Sequence, residues 1–242
     1  MKNDAREFAA LAQTPATPRF DLYGVIHKAI RAMMADSLMA VGSTDVTDPT
    51  RRRALAAQVE ELLDFCHAHL EHENLYLHPA IEARASGASE RIAQEHEEHR
   101  AHIAALRRGN AVLREAPDAA AALAAAGALY RELALFVADN FAHMHVEETA
   151  HNAVLWSRYT DAELVEIHNA LVASIPPAEM ALALRWMLPS MNHAERVAVL
   201  ADMRASAPPP AFEGTLALAR SHLADGDWAA LTQALALPHP AG

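Results

Sequence analysis

The stretch HAHLEHENLYLHP, from His67 to Pro79, sets four histidines and two glutamates within thirteen residues. Imidazole nitrogens and carboxylate oxygens are donors that hold first-row transition metals, provided they converge on one point. On an α-helix, residues four apart lie one turn above each other on one face. His-x-x-x-Glu therefore aims an imidazole and a carboxylate into the same space. The stretch holds that spacing as His67–Glu71 and His69–Glu73, and His78–Glu82 overlaps its end. One further copy occurs in the chain, His143–Glu147.

AHLEHENLYLHPA and AHMHVEETAHNAV align without gaps, with His69 over His143 and Glu73 over Glu147. His67–Glu71 and His78–Glu82 have no counterpart in the second segment. The shared pairs are therefore assigned to the interior and the unshared ones to solvent. His27 lies in an apolar stripe beside Ile26 and Ile30. QEHEEHRAHIAAL offers His96, His99 and His102. Ile30 and Met34 follow His27 at the offsets at which His99 and Ile103 follow His96, which favours His96 as the partner of His27. The order is then His, His-x-x-x-Glu, His, His-x-x-x-Glu. Burying two carboxylates without cations costs several kcal/mol each, and a metal pair removes that cost. Four imidazoles and two bridging glutamates give each of two ions two nitrogens. An oxo or hydroxo bridge then makes each five-coordinate, with one position open. That donor set suits iron, less often manganese, and matches tetrahedral structural zinc poorly.

These residues must be held by long helices. The 242-residue chain is 52% hydrophobic, rich in alanine and leucine, with 8 glycines and few β-branched runs, a composition that reads as all-α. Apolar spacing predicts helices over about 21–41, 49–85, 89–115 and 118–156. Asp48-Pro49 supplies the cap and first turn of the second. Pro79 is expected to kink that helix or end it early. Short links make neighbours antiparallel, which gives an up-down-up-down four-helix bundle over 20–156. Residues 1–19 read as an irregular arm. Residues 157–242 read as an appendage of short helices, with capping boxes at Thr160/Glu163 and Asn192/Glu195.

His27, His69-x-x-x-Glu73, His96 and His143-x-x-x-Glu147 resemble the ligand set of hemerythrin-like, or HHE cation-binding, domains. The resemblance covers about residues 20–156. It implies a four-helix bundle around a non-haem di-iron centre that binds oxygen, reacts with peroxide or nitric oxide, senses iron or oxygen, or stores iron. Oxygen carriers of the family place a fifth histidine four residues after the first on the third helix. Here that position is Arg100, so the resemblance favours an open, reactive site over reversible transport. His99 is one residue short of the position and stays open as an additional ligand. His151, one turn beyond Glu147, is read as lining the access path or donating a proton. The other histidines, His78 among them, are read as surface groups or groups around the ligands.

The function expected is a di-iron protein handling oxygen, peroxide or nitric oxide, including peroxide- or nitric-oxide-handling oxidoreductase activity. The alternative is a non-catalytic iron- or oxygen-responsive regulator whose C-terminal helices engage a protein partner or a second copy of the chain. A formal charge of −11 and only short basic runs argue against nucleic acid. The apolar run around Arg131 and Glu132 is interrupted by charge and is not expected to span a membrane. With one cysteine, Cys66, no internal disulfide forms. No signal peptide is evident, and a cytoplasmic location follows by default.

Overall fold

The computed structural model describes residues 19–237, so the arm read over 1–19 lies outside them except for Arg19. Every regular element among the described residues is helical. The elements are α1 (Gly24–Ser43), α2 (Pro49–His72), α3 (His78–Arg84), α4 (Glu90–Arg114), α5 (Ala119–Val146), α6 (Asn152–Arg158), α7 (Asp161–Ser174), α8 (Pro177–Ser190), α9 (His193–Ser206), α10 (Pro209–His222) and α11 (Asp225–Ala234). Their contacts divide the described residues into two compact units. The first holds residues 19–24 and Met33–Ser174, and the second holds Val25–Ala32 and residues 175–237.

In the first unit, helix starts follow local chemistry. The Asp48 carboxylate accepts from the backbone amides of Thr50 and Arg51, with Pro49 in the first turn. Asp118 accepts from Ala121 N at 2.8 Å at the start of α5. Each cap satisfies amides that have no partner within the helix. Buried residues recur at three- and four-residue steps: Leu55, Val59, Leu62, Leu63 and Cys66 on α2, Ile92, His96, His99, Ile103, Leu106, Asn110 and Leu113 on α4, and Leu129, Leu133 and Phe136 on α5. That spacing is the inward stripe of a bundle helix.

The two ligand-bearing helices are not regular throughout. A π turn, Glu73–Leu77, joins α2 to α3, and a second, Glu147–His151, joins α5 to α6. His78 N–H donates to the Glu73 carbonyl, and Asn152 N–H to that of Glu147, each spanning five residues. Pro79 has no N–H and its ring crowds the preceding turn, so the ladder must change there. The helix therefore continues past Pro79 to Arg84 through one widened turn, where the sequence pointed to a kink or an end. In the second case Thr149 Oγ1 donates to the His145 carbonyl at 2.6 Å, a side-chain bond that competes with the α-helical ladder.

α7, which sequence texture assigned to the appendage, packs within the first unit. Leu164 joins a buried cluster with Tyr23, Leu77, Ile81 and Leu155. Arg84 donates to Glu163 at 2.6 Å and to the Arg158 carbonyl at 2.6 Å, and its guanidinium lies 3.8 Å over the Tyr159 ring. Arg19 Nε donates to Asp161 at 2.7 Å. The change in composition after Tyr159 carries no information about which core the apolar face of α7 enters.

The second unit has its own core of Leu184, Leu188, Leu200, Ala219, Leu223, Leu231 and Leu235. The Asn192/Glu195 capping box forms, with Asn192 N to Glu195 at 2.9 Å and Glu195 N to Asn192 at 3.0 Å. The buried Arg196 donates to the Leu188 carbonyl at 2.7 Å, and Lys28 Nζ meets Glu195 at 2.6 Å. Among the described helices, only Ala119–Arg158 is by itself long and apolar enough in composition to cross a membrane. Leu129, Leu133, Phe136 and His143 on it are buried within the protein.

Candidate metal centre

His96 on α4 and His143 on α5 point their Nε2 atoms at each other across 3.1 Å. Glu147 Oε1 lies 3.2 Å from His143 Nε2 and 3.6 Å from His96 Nε2. Glu73 Oε2 lies 3.5 Å from His96 Nε2. Two donors about 2.1 Å from a common ion and roughly at right angles lie about 3 Å apart. These spacings therefore match those of donors around one ion. All four residues are buried, and their ligand atoms lie within 4.8 Å of one another.

The second oxygen of Glu73 faces elsewhere. Oε1 lies 3.2 Å from His69 Nε2, one turn back on α2. One carboxylate thus presents its two oxygens to imidazoles on different sides, as a bridge between two ions requires. His27, fully buried on α1, lies in the stretch grouped with the second unit.

The electrostatics fit cations. Glu73 and Glu147 are 2% and 0% exposed, and each bears on the other's charge. Burial and the nearby Glu73 oppose ionisation of Glu147, but His143 and its hydrogen bonds, with that of His96, hold its carboxyl well below the usual range. Burial works against a charge on His143 too, yet Glu147, Glu95 and Glu73 hold a proton there far above the usual imidazole range. Without a cation, the cluster keeps a proton on His143 to balance its carboxylates. A bound cation takes over that role and displaces the proton.

The far nitrogens of the two facing imidazoles are fixed. His143 Nδ1 lies 2.9 Å from Glu95 Oε2, and Arg91 holds the other Glu95 oxygen at 3.0 Å. His96 Nδ1 lies 2.8 Å from Asn74 Oδ1. Such partners set the tautomer that turns Nε2 toward a metal. Replacing Glu95 by Ala should weaken metal binding about 10- to 100-fold, read by competition against a calibrated chelator, with the helical circular-dichroism signal unchanged.

The family model for hemerythrin HHE cation-binding domains matches residues 21–151. The chain belongs to that family. Comparison with curated proteins and with solved structures gives no match. In this HHE protein the donors named from sequence on α2, α4, α5 and the two π turns (His69, Glu73, His96, His143 and Glu147) come together in the first unit.

The pairs assigned to solvent divide. Glu71 accepts from Arg100 Nε at 2.8 Å, and Arg100 also pairs with Glu97. The residue at the carrier's fifth-histidine position is thus an arginine held among carboxylates. Glu82 accepts from the amides of Gly87 and Ser89 at 2.6 and 3.0 Å and from Ser89 Oγ at 2.7 Å, closing the turn before α4. His78 departs from expectation. It is buried, its ring stacks on His96 at 4.9 Å, and its ligand atom converges with those of Glu147 and His151. The i, i+4 rule presumes an unbroken α-helix, and the π turn after Glu73 places His78, five residues on, where a regular helix would not. The one sequence signal for this is Pro79, which disturbs the ladder at that point.

His99 is buried with its ring edge-on to His143 at 4.7 Å. It belongs to none of the convergent donor groups found among the described residues. Burial, with His143 and His96 nearby, lowers its pKa to about 3. His151 Nδ1 lies 3.3 Å from the Tyr23 hydroxyl. Burial and the charges of Glu147 and Glu73 raise the Tyr23 pKa well above its usual value, so the phenol keeps its proton. Asn74, Glu95 and Tyr23 were not legible as site residues, because nothing in their local spacing marks which neighbouring helix they face.

Proposed function

We propose that this HHE domain holds two iron ions and uses them on oxygen, peroxide or nitric oxide. The observation that carries the reading is the double-facing carboxylate of Glu73, one oxygen toward His69 and the other toward His96. A single-ion site has no use for that arrangement. His96, His143 and Glu147 complete one ion's protein donors. His69 serves the other, and the sequence pattern adds His27 to the donor set.

A pair of such ions supplies one-electron redox chemistry toward a small ligand. The chain's own residues shape how it is used. Asn74 and Glu95 orient the imidazoles of His96 and His143. The apolar packing of Leu77, Ile81 and Leu155 keeps the adjoining end of the bundle dry, which strengthens interactions among the buried charges. Tyr23, protonated and beside His151, is a proton donor close to Glu147. No histidine stands at the Arg100 position, so a coordination position remains for the small ligand.

Elemental analysis with an absorption spectrum tests the reading. Protein purified from iron-replete cells should contain about two irons per chain in its centre and absorb in the near ultraviolet. The reduced protein should be oxidised by peroxide or nitric oxide without forming a long-lived oxygen adduct. Stoichiometric zinc alone, with no iron uptake on reconstitution, would overturn it.

A further inference from the structure

Beside the proposed pair, two buried imidazoles remain to be explained. His78, Glu147 and His151 each offer a ligand atom, and those atoms lie within 4.8 Å of one another. His78 is 6% exposed and His151 2%. The Nε2 atoms of both are buried and have no hydrogen-bond partner among the described residues. A buried imidazole nitrogen without a partner opposes folding, and here two lie side by side. Packing does not explain the pair, since apolar side chains would fill the space without the cost.

Irregular backbone brings them there. The π turn Glu73–Leu77 ends immediately before His78, and the π turn Glu147–His151 ends on His151 itself. π turns cost hydrogen-bond geometry and concentrate at functional sites. The two rings meet edge to face at 5.8 Å. His151 Nδ1 is engaged by the Tyr23 hydroxyl, which fixes the ring and leaves Nε2 for a ligand.

We infer that His78, Glu147 and His151 bind a further divalent cation, distinct from the pair and sharing Glu147 with it. Two imidazoles and one carboxylate, with the remaining position left to water, form the donor set of open zinc sites and of the two-histidine, one-carboxylate iron sites. Glu147 has two oxygens, and only Oε1 is placed against His96 and His143. As with Glu73, one carboxylate serves two neighbouring positions. Glu73 and Glu147 would then each hold two neighbouring cations. The inference rests on the proposed pair only through Glu147.

The test is a metal count on the full chain. Metal-free protein is dialysed against Zn2+ alone, freed of excess ion, and analysed for zinc. The wild type should saturate at three zinc ions per chain, and His78→Gln and His151→Gln should each saturate at two. An unchanged count in both variants overturns the assignment while leaving the pair intact. A loss of two or more ions in folded variants also overturns it, since the histidines would then belong to the pair. Should the variants fail to fold, the wild-type count decides alone, because saturation at two ions excludes a third. Absence of any bound zinc or iron would instead defeat the proposed centre.

Discussion

Glu73→Gln should abolish binding of both ions of the pair, with apparent affinity falling more than about 100-fold, and yet should make the metal-free protein more stable. The two halves have one cause. Glu73 and Glu147 are buried together, and Glu73 raises the cost of ionising Glu147. In metal-free protein that repulsion and the desolvation of both carboxylates oppose folding. Glutamine keeps the shape and removes one of the two like charges, and with it the repulsion that Glu73 exerts on Glu147. In metal-loaded protein the comparison reverses. The wild type is stabilised by ion binding, about 2.7 kcal/mol for each site at a free-metal concentration 100 times the dissociation constant. The variant forgoes this because it has lost the carboxylate that faces both His69 and His96. Thermal melting of wild type and variant, with and without metal, checks the crossing. A variant less stable than wild type in both states would show that Glu73 is a structural group.

The second large effect separates His96 from His99, three residues apart on α4 and both buried. His96→Ala should lose iron, because its Nε2 sits among His143, Glu147 and Glu73 at 3.1 to 3.6 Å. His99→Ala should keep its iron and its reactivity toward peroxide. Its cost should be in stability alone, about 2–4 kcal/mol for the cavity left against Phe136 and His143. Iron content against melting temperature for the two variants gives opposite patterns. Iron lost in His99→Ala and retained in His96→Ala would reverse the assignment.

Both predictions begin from residues that local spacing alone could name. His69–Glu73 and His143–Glu147 repeat one chemical unit at the period of an α-helix, which at about 3.6 residues per turn brings each pair onto one face. Asp48-Pro49 and Asn192/Glu195 were legible for the same reason, since a cap is completed within three residues of itself. The all-α class followed from composition and the apolar period.

What lay beyond reach were the facts that one helix imposes on another and those that break the period. Asn74 and Glu95 act only through His96 and His143, on helices far away in sequence. α7 joins the first unit because Leu164 finds Tyr23 and Ile81 there, and its own sequence names neither. His78 was assigned to solvent because four-residue spacing pairs it with Glu82. The π turn that Pro79 accompanies adds a residue to the turn and places it with Glu147 and His151 instead. The sequence determined the donors that a regular helix aligns. Tertiary structure decided their orienting partners and the donors aligned by irregular backbone, because both depend on hydrogen bonds and packing that no local period encodes.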